Sequence, residues 1–254
     1  MQGIFDSHCH YDDEKYDEDR EQVIAEIQKN GVCNAINIGC DIESSNDSIK
    51  LALKYSFFYA AVGIHPHTAA EVGEGYIAEL GAMATNEKVV AIGEIGLDYH
   101  YDFSPRDVQQ RVFEEQLILA NRLNMPTVIH SREATEDTMR ILNQYRPKGV
   151  VHCFTGSAQT AQEVIKLGMY IGFTGVVTFK NARKTLEVIN ITPLDRILLE
   201  TDCPYMAPEP YRGKRSTSDM IEKTAEAVAK VKGLTTQEII DIARENTKRL
   251  FGIE

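Results

Sequence analysis

A single (β/α)8 TIM barrel spanning residues 1–254, with an additional C-terminal helix, is the fold this sequence predicts. Three observations predict it. Short apolar runs alternate with stretches of helical periodicity along the whole chain, the pattern of repeated β/α units on a parallel sheet. No linker-like, repeated or low-complexity segment divides the 254 residues, a length that such barrels commonly reach as one domain. Finally, six of the apolar runs end in a residue able to bind a metal. A closed barrel gathers such residues at the C-terminal ends of its strands, whereas an open doubly wound sheet leaves them apart.

The elements follow in order. Ile4-Phe5 opens the first strand, which runs into His8 and His10. In an extended chain positions i and i+2 share a face, so the two imidazoles point to one side and Ser7 and Cys9 to the other. An acidic loop leads to a helix from Arg20 through Ile27, stopped by Asn30-Gly31. Ala35–Gly39 is the second strand and Glu43–Lys54 the second helix; Phe57–Ile64 is the third strand, ending at His65-Pro66-His67, and a helix over residues 75–85 follows. The fourth strand, Val89–Gly93, ends at Glu94, and a long loop through Leu97-Asp98-Tyr99-His100-Tyr101 precedes a helix that starts at Ser104-Pro105. Val108, Val112, Phe113, Leu117, Leu119, Ala120 and Leu123 give that helix its sheet-facing stripe.

The fifth strand, Pro126–Ile129, runs into His130, and the sixth, Gly149–Val151, into His152. The seventh is expected over Met169–Phe173 with an extension through Val176-Val177, and the eighth, Arg196–Leu199, runs into Glu200-Thr201-Asp202. Helices over residues 135–145, 158–166 and 183–189 lie between these strands, and two more, over 219–232 and 235–250, close the chain.

A net charge of −11 argues against broad affinity for nucleic acid or anionic membrane, so a phosphate substrate has to be held by local cations. There is no apolar run of membrane-spanning length and no basic-then-apolar leader, which predicts a soluble, cytoplasmic protein with no membrane association. The five cysteines (Cys9, Cys33, Cys40, Cys153, Cys203) are scattered and contain no C-x-x-C pair. They read as free thiols in a reducing compartment.

Histidine nitrogen mixed with carboxylate oxygen suits zinc, manganese or iron, while magnesium prefers oxygen. The natural partition gives His8, His10 and Asp202 to one cation, His130 and His152 to a second, and Glu94 to a bridge between them. Two such cations can activate a shared water and stabilise the attacking and leaving oxygens of an in-line displacement, so hydrolysis is the predicted reaction. Asp202 is expected both to bind a cation and to act as general base.

The motifs Phe5-Asp6-Ser7-His8-Cys9-His10, Gly63-Ile64-His65-Pro66-His67, Gly93-Glu94-Ile95-Gly96-Leu97-Asp98-Tyr99, Ile129-His130-Ser131-Arg132, His152-Cys153-Phe154-Thr155-Gly156, Glu200-Thr201-Asp202-Cys203-Pro204-Tyr205 and Arg212-Gly213-Lys214-Arg215 occur in this order. Taken together, the chain resembles the TatD-type metal-dependent deoxyribonucleases of the amidohydrolase-like barrels over essentially its whole length. The resemblance implies a TIM barrel, two divalent cations (magnesium, manganese or zinc) and hydrolysis of DNA phosphodiester bonds, with 3'-5' exonuclease action on single-stranded ends the expected mode. By matching positions it supports the ligand partition and places His65 at the centre, where His65, Glu94 and Asp202 are expected to serve catalysis. One departure stands out: after Arg215 the family usually continues Asn-Glu-Pro, where this chain has Ser216-Thr217-Ser218-Asp219.

Arg132, Arg212 and Arg215, with Lys214, are expected to contact substrate phosphate, although such a charge run also suits a solvated loop. Asp98 and His100 are candidates for orienting or protonating a leaving group, with loop polarity the simpler account of His100. Tyr99 and Tyr101 are candidates for base stacking, with packing the expectation for at least one. No partner protein is inferred. Two rivals remain: a related barrel hydrolase of small esters, amides or aminoacyl esters, and a non-catalytic metal-binding scaffold.

Overall fold

The eight apolar runs form eight parallel strands in one sheet, ordered β1 to β8. The computed structural model describes residues 1–254. In chain order its elements are β1 (Ile4–Cys9), α1 (Arg20–Lys29), β2 (Val32–Ile38), α2 (Ile42–Lys54), β3 (Phe58–Val62), α3 (Tyr76–Met83), β4 (Val89–Asp98), α4 (Arg106–Leu123), β5 (Thr127–Arg132), α5 (Thr135–Tyr145), β6 (Gly149–Val151), α6 (Ala158–Lys166), β7 (Tyr170–Phe173), α7 (Arg183–Ile191), β8 (Ile197–Leu199), α8 (Ile221–Lys232) and α9 (Thr236–Phe251). Each strand is followed by its helix, and α9 is the additional C-terminal one.

Local chemistry sets the helix ends. Asp41 with Ser44 and Thr235 with Glu238 form reciprocal capping boxes at the starts of α2 and α9. α8 and α9 stop at Gly233 and Gly252, whose φ values of 69° and 67° lie where a side chain is costly.

Two apolar layers organise the interior. Phe5, Ile36, Ala61, Ala91, Val128, Val150 and Leu198 come from seven different strands and pack into one cluster with Phe251 and Ile253 from the chain's end. This cluster fills the barrel beneath the strand ends. A larger outer cluster joins strands to helices, with Leu80, Phe113, Leu117, Ile141, Val164 and Ile189 all buried. Each such side chain contributes roughly 1.5–3 kcal/mol by leaving water.

The sheet closes where the sequence placed its ligands. β1 and β8 share no ladder; past the end of β8, Asp202 N–H donates to His8 O (3.0 Å) and His10 N–H to Cys203 O (2.8 Å), and Cys9 and Cys203 form a parallel bridge. Buried Asp6 reinforces this seam by accepting from the Thr201 N–H at 3.0 Å and the Thr201 hydroxyl at 2.6 Å.

Three expectations need correction. β4 continues past Glu94 to Asp98, because after an irregularity between Ile92 and Ile95 the residues Gly96, Leu97 and Asp98 pair with His130, Ser131 and Arg132. Pairing satisfies backbone groups that a loop would leave open. β7 ends at Phe173, and Gly175–Thr178 is a 3-10 turn capped by the Thr174 side chain. Ser7 does not face away from the site. The β1–β2 register shifts between Asp6 and Cys9, and the Ser7 hydroxyl reaches Leu199 O at 3.1 Å and Glu200 Oε2 at 3.4 Å. A shifted register breaks strict alternation. Cys9 does turn into the outer cluster. All five cysteines are free, and no helix is long and apolar enough to cross a membrane.

Candidate metal centre

Glu94 is the hub of the strand ends, and its two oxygens serve different neighbours. Oε2 lies 3.4 Å from His8 Nε2 and 3.9 Å from His10 Nε2. Oε1 lies 2.9 Å from His130 Nδ1, 2.7 Å from His152 Nε2 and 3.6 Å from His65 Nε2. Asp202 Oδ1 completes the first group, 3.5 Å from His8 Nε2 and 3.4 Å from His10 Nε2. The six side chains expected to be ligands therefore lie together at the strand ends.

The hydrogen bonds on the far side of each ring decide which nitrogen faces inward. His10 Nδ1 donates to Ile38 O at 2.9 Å, so its Nε2 presents a lone pair. His130 Nε2 is 3.1 Å from Asp98 Oδ2, so Nδ1 is the inward nitrogen. His65 differs, because its Nδ1 accepts from the His67 N–H at 3.2 Å. Its proton therefore sits on Nε2 and points toward Glu94, which makes His65 a hydrogen-bond donor at the site.

The donor set fits a divalent cation. His8 Nε2 and His10 Nε2 stand 3.0 Å apart, and His130 Nδ1 and His152 Nε2 3.2 Å apart. Atoms bonded to one cation at about 2.0–2.2 Å stand about 3–3.5 Å from each other, so these separations match the edges of a coordination shell. His8 Nδ1 and His152 Nδ1 are buried without a hydrogen-bond partner.

Electrostatics supports the same assignment. Burial alone would raise Glu94, but His152, His65, His8 and the His130 hydrogen bond outweigh it and hold the carboxyl well below its ordinary range. Asp202 is likewise lowered, against burial, by His10, His8 and His152. Burial pushes His8 down to about 4, whereas Asp98 and Glu94 overcome burial at His130 and bring it up to about 9. The carboxylates are thus charged and able to bind cations. Ligand imidazoles must shed protons to do so.

Three site residues were missed or underread. Asp98 lies at the end of β4, buried, and accepts from both His130 and His67 (3.0 Å) while its Oδ1 takes the N–H groups of His100 and Tyr101. It orients His130 from behind, as carboxylates behind ligand histidines commonly do. Replacing Asp98 with Asn is expected to weaken cation binding about 10- to 100-fold, measured by calorimetric titration of metal-stripped protein. Glu200 lies beneath His152, with Oε1 3.7 Å from Nδ1, and burial pushes its carboxyl up to about 7. A Cβ at Gly172 would overlap that carboxylate, so glycine there makes its room. Asp6 accepts the His8 N–H at 3.2 Å as well as its seam bonds.

The remaining candidates are distributed around the rim. Arg132 is exposed with its guanidinium over the Tyr101 ring (4.7 Å), and exposed Arg212 lies over Phe179 (4.3 Å). Arg215 instead makes a two-pronged pair with Asp19 (2.8 and 2.6 Å) and bonds Lys15 O, which commits it to fastening its loop. Tyr99 is used for packing, with its hydroxyl on Asp137 and Arg106 over its ring. His100 forms an exposed pair with Glu133. In the departing segment Ser216 and Ser218 are buried, and the Ser218 hydroxyl donates to Asp6 Oδ2 at 2.6 Å. That segment is therefore tied into the seam.

Comparison with known proteins agrees with this geometry. The family described as TatD related DNase matches residues 5–252. The metal-dependent hydrolase YabD of Bacillus subtilis (strain 168) is 44% identical over 253 residues, 98% of this chain and 99% of its own. The 3'-5' ssDNA/RNA exonuclease TatD of Cronobacter sakazakii is 37% identical over 211 residues, 81% of this chain and 80% of that protein. The crystal structure of YjjV, a TatD homologue from Escherichia coli K12, superposes with a TM-score of 0.93 at 32% identity and covers 99% of each chain. With its barrel, its histidine–carboxylate cluster and a family match over nearly its whole length, this chain belongs to the TatD-related DNase family of metal-dependent hydrolases.

Proposed function

We propose that the protein is a phosphodiesterase that binds two divalent cations and shortens single-stranded DNA from the 3' end, in the cytoplasm. The observation that carries this reading is the division of Glu94, one oxygen toward His8 and His10 and the other toward His130 and His152. A carboxylate so placed is suited to bridging two cations. The name of the Cronobacter relative, a 3'-5' exonuclease of single-stranded DNA and RNA, supports the substrate and the polarity.

His8, His10 and Asp202 would hold one divalent cation and His130 and His152 a second, and these would supply Lewis acidity toward a phosphoryl oxygen and toward water. The chain's own groups do the rest. Asp202, ionised through the neutral range, takes the proton of the attacking water. The Nε2–H of His65 donates a hydrogen bond toward charge developing beside Glu94. Arg132 and Arg212, neither paired with a carboxylate, offer their edges to substrate phosphate.

The test is nucleotide release from 5'-labelled and 3'-labelled single-stranded DNA by metal-stripped protein resupplied with magnesium, manganese or zinc. Metal-restored loss of the 3' label first is the expected result. Silence with every metal, from protein that binds two cations and cleaves small esters or amides, would overturn the nuclease reading in favour of a small-molecule hydrolase.

A further inference from the structure

We propose that Phe103 and Tyr101, with Arg132, form a stacking platform for one base of a single-stranded nucleic acid beside the metal centre. This rests on the nucleic-acid reading of the site and adds how the strand is gripped. Phe103 is 67% exposed and Tyr101 48% exposed, on the segment between β4 and α4. Their rings are stacked, with centroids 5.2 Å apart and planes inclined by 16°, and the Arg132 guanidinium lies 4.7 Å from the Tyr101 centroid. Tyr101 is the middle of a column of flat groups and Phe103 is its exposed end.

Single exposed apolar residues are ordinary, but this pair is contiguous and held in place. Asp98 Oδ1 accepts the N–H groups of His100 (3.0 Å) and Tyr101 (2.9 Å), fixing the start of the segment. The Ser104 hydroxyl fixes its other end, donating to His67 O and accepting from the Ala70 N–H, each at 3.0 Å. His67 packs edge-on against Phe103 (4.9 Å) and Tyr101 (5.4 Å). The platform therefore needs little ordering when a ligand arrives, which favours binding.

Continuity with the reaction centre selects the ligand. Asp98 holds both the Tyr101 backbone and the His130 ring, so a ring stacked on Phe103 is in fixed register with the cluster at Glu94. A nucleobase has the flat, partly apolar face that such an end accepts, and Arg132, at the other end of the column, leaves its edge to a phosphate further along the strand. At a net charge of −11 the protein's overall field repels a polyanion, so affinity has to come from contacts that do not depend on net attraction. Base–aromatic stacking is one, and it tolerates any sequence.

The test is fluorescence anisotropy of a labelled single-stranded DNA binding to metal-stripped full-length protein, beside hydrolysis by the metal-loaded enzyme. Both use a normal oligonucleotide and one carrying abasic residues at its 3' end, and hydrolysis also uses a short deoxyribose phosphodiester without bases as a base-free ester. Phe103→Leu is expected to weaken binding of the normal oligonucleotide about 5- to 100-fold, the size of one stack, and to raise its KM with kcat nearly unchanged. Abasic DNA and the base-free ester should be unaffected, and Phe103→Trp should restore affinity. Equal losses on normal and abasic DNA, or none on either, would overturn the platform while leaving the nuclease reading intact. Base-dependent binding without cleavage would do the reverse, and an oligonucleotide neither bound nor cleaved would end both.

Discussion

Replacing Glu94 with Gln is expected to lower turnover of any phosphodiester by about 10³-fold or more, and to leave the metal-stripped protein unable to bind two cations tightly. The size follows from the geometry. Both oxygens of Glu94 are in use, and Gln keeps the shape while turning one into an amide nitrogen, which has no lone pair to offer. It also removes the negative charge that faces five imidazoles. A bridging ligand that stabilises transition-state charge by several kcal/mol corresponds to three or more decades in rate, at about 1.4 kcal/mol for each. Calorimetric stoichiometry read beside kcat is the check. A Glu94→Gln protein that still bound two cations tightly would show that the carboxylate is a neighbour of the site and not its bridge.

Replacing Asp202 with Asn should act differently, lowering kcat about 10²- to 10⁴-fold while oligonucleotide KM stays near the parent value. Asn is the informative substitution for a backbone reason. Asp202 has φ 61°, in the left-handed region, and Asn is among the few residues besides glycine that adopt it readily. Alanine there would mix strain with lost chemistry. Asn retains an oxygen toward His8 and His10 but cannot accept the proton of water at neutral pH. The pH–rate profile checks this assignment. Because His10, His8 and His152 hold the parent carboxyl below the ordinary range, the parent keeps its base on the acid side of neutrality, and the Asn variant should stay low throughout. If the variant kept parental kcat, the base would have to be sought elsewhere.

Candidate ligands were legible in the sequence wherever a regular strand ended in one. His130 and His152 follow ordinary alternation above Val128 and Val150, so the period of two carries directly into space. His8 and His10 were legible as a pair, yet Ser7 was assigned to the wrong side, since a register shift inside a strand leaves no mark in its composition. The irregularity in β4 hid the position of Asp98 in the same way: expected on a loop as a candidate for handling a leaving group, it ends the strand behind His130. Glu200 was reachable in principle, two positions before Asp202 and on its face. What the sequence lacked was any sign that Gly172, on the neighbouring strand, leaves space for a buried acid. Arg215 was read as a substrate contact because its partner Asp19 lies 196 positions away, beyond any local pattern.

The β8–β1 seam also bears on how the enzyme comes into being. Its bonds join residues 6–10 to residues 201–203, so closing it means bringing together segments separated by nearly the whole chain. A nascent polypeptide that has emerged through β7 already carries His8, His10, Glu94, His130 and His152, but it has neither Asp202 nor a way to shut the ring. Closure entropy is met in one late step, and that step also assembles the donor set. In a barrel closed this way, Asp202 joins His8 and His10 only when the two ends of the chain meet.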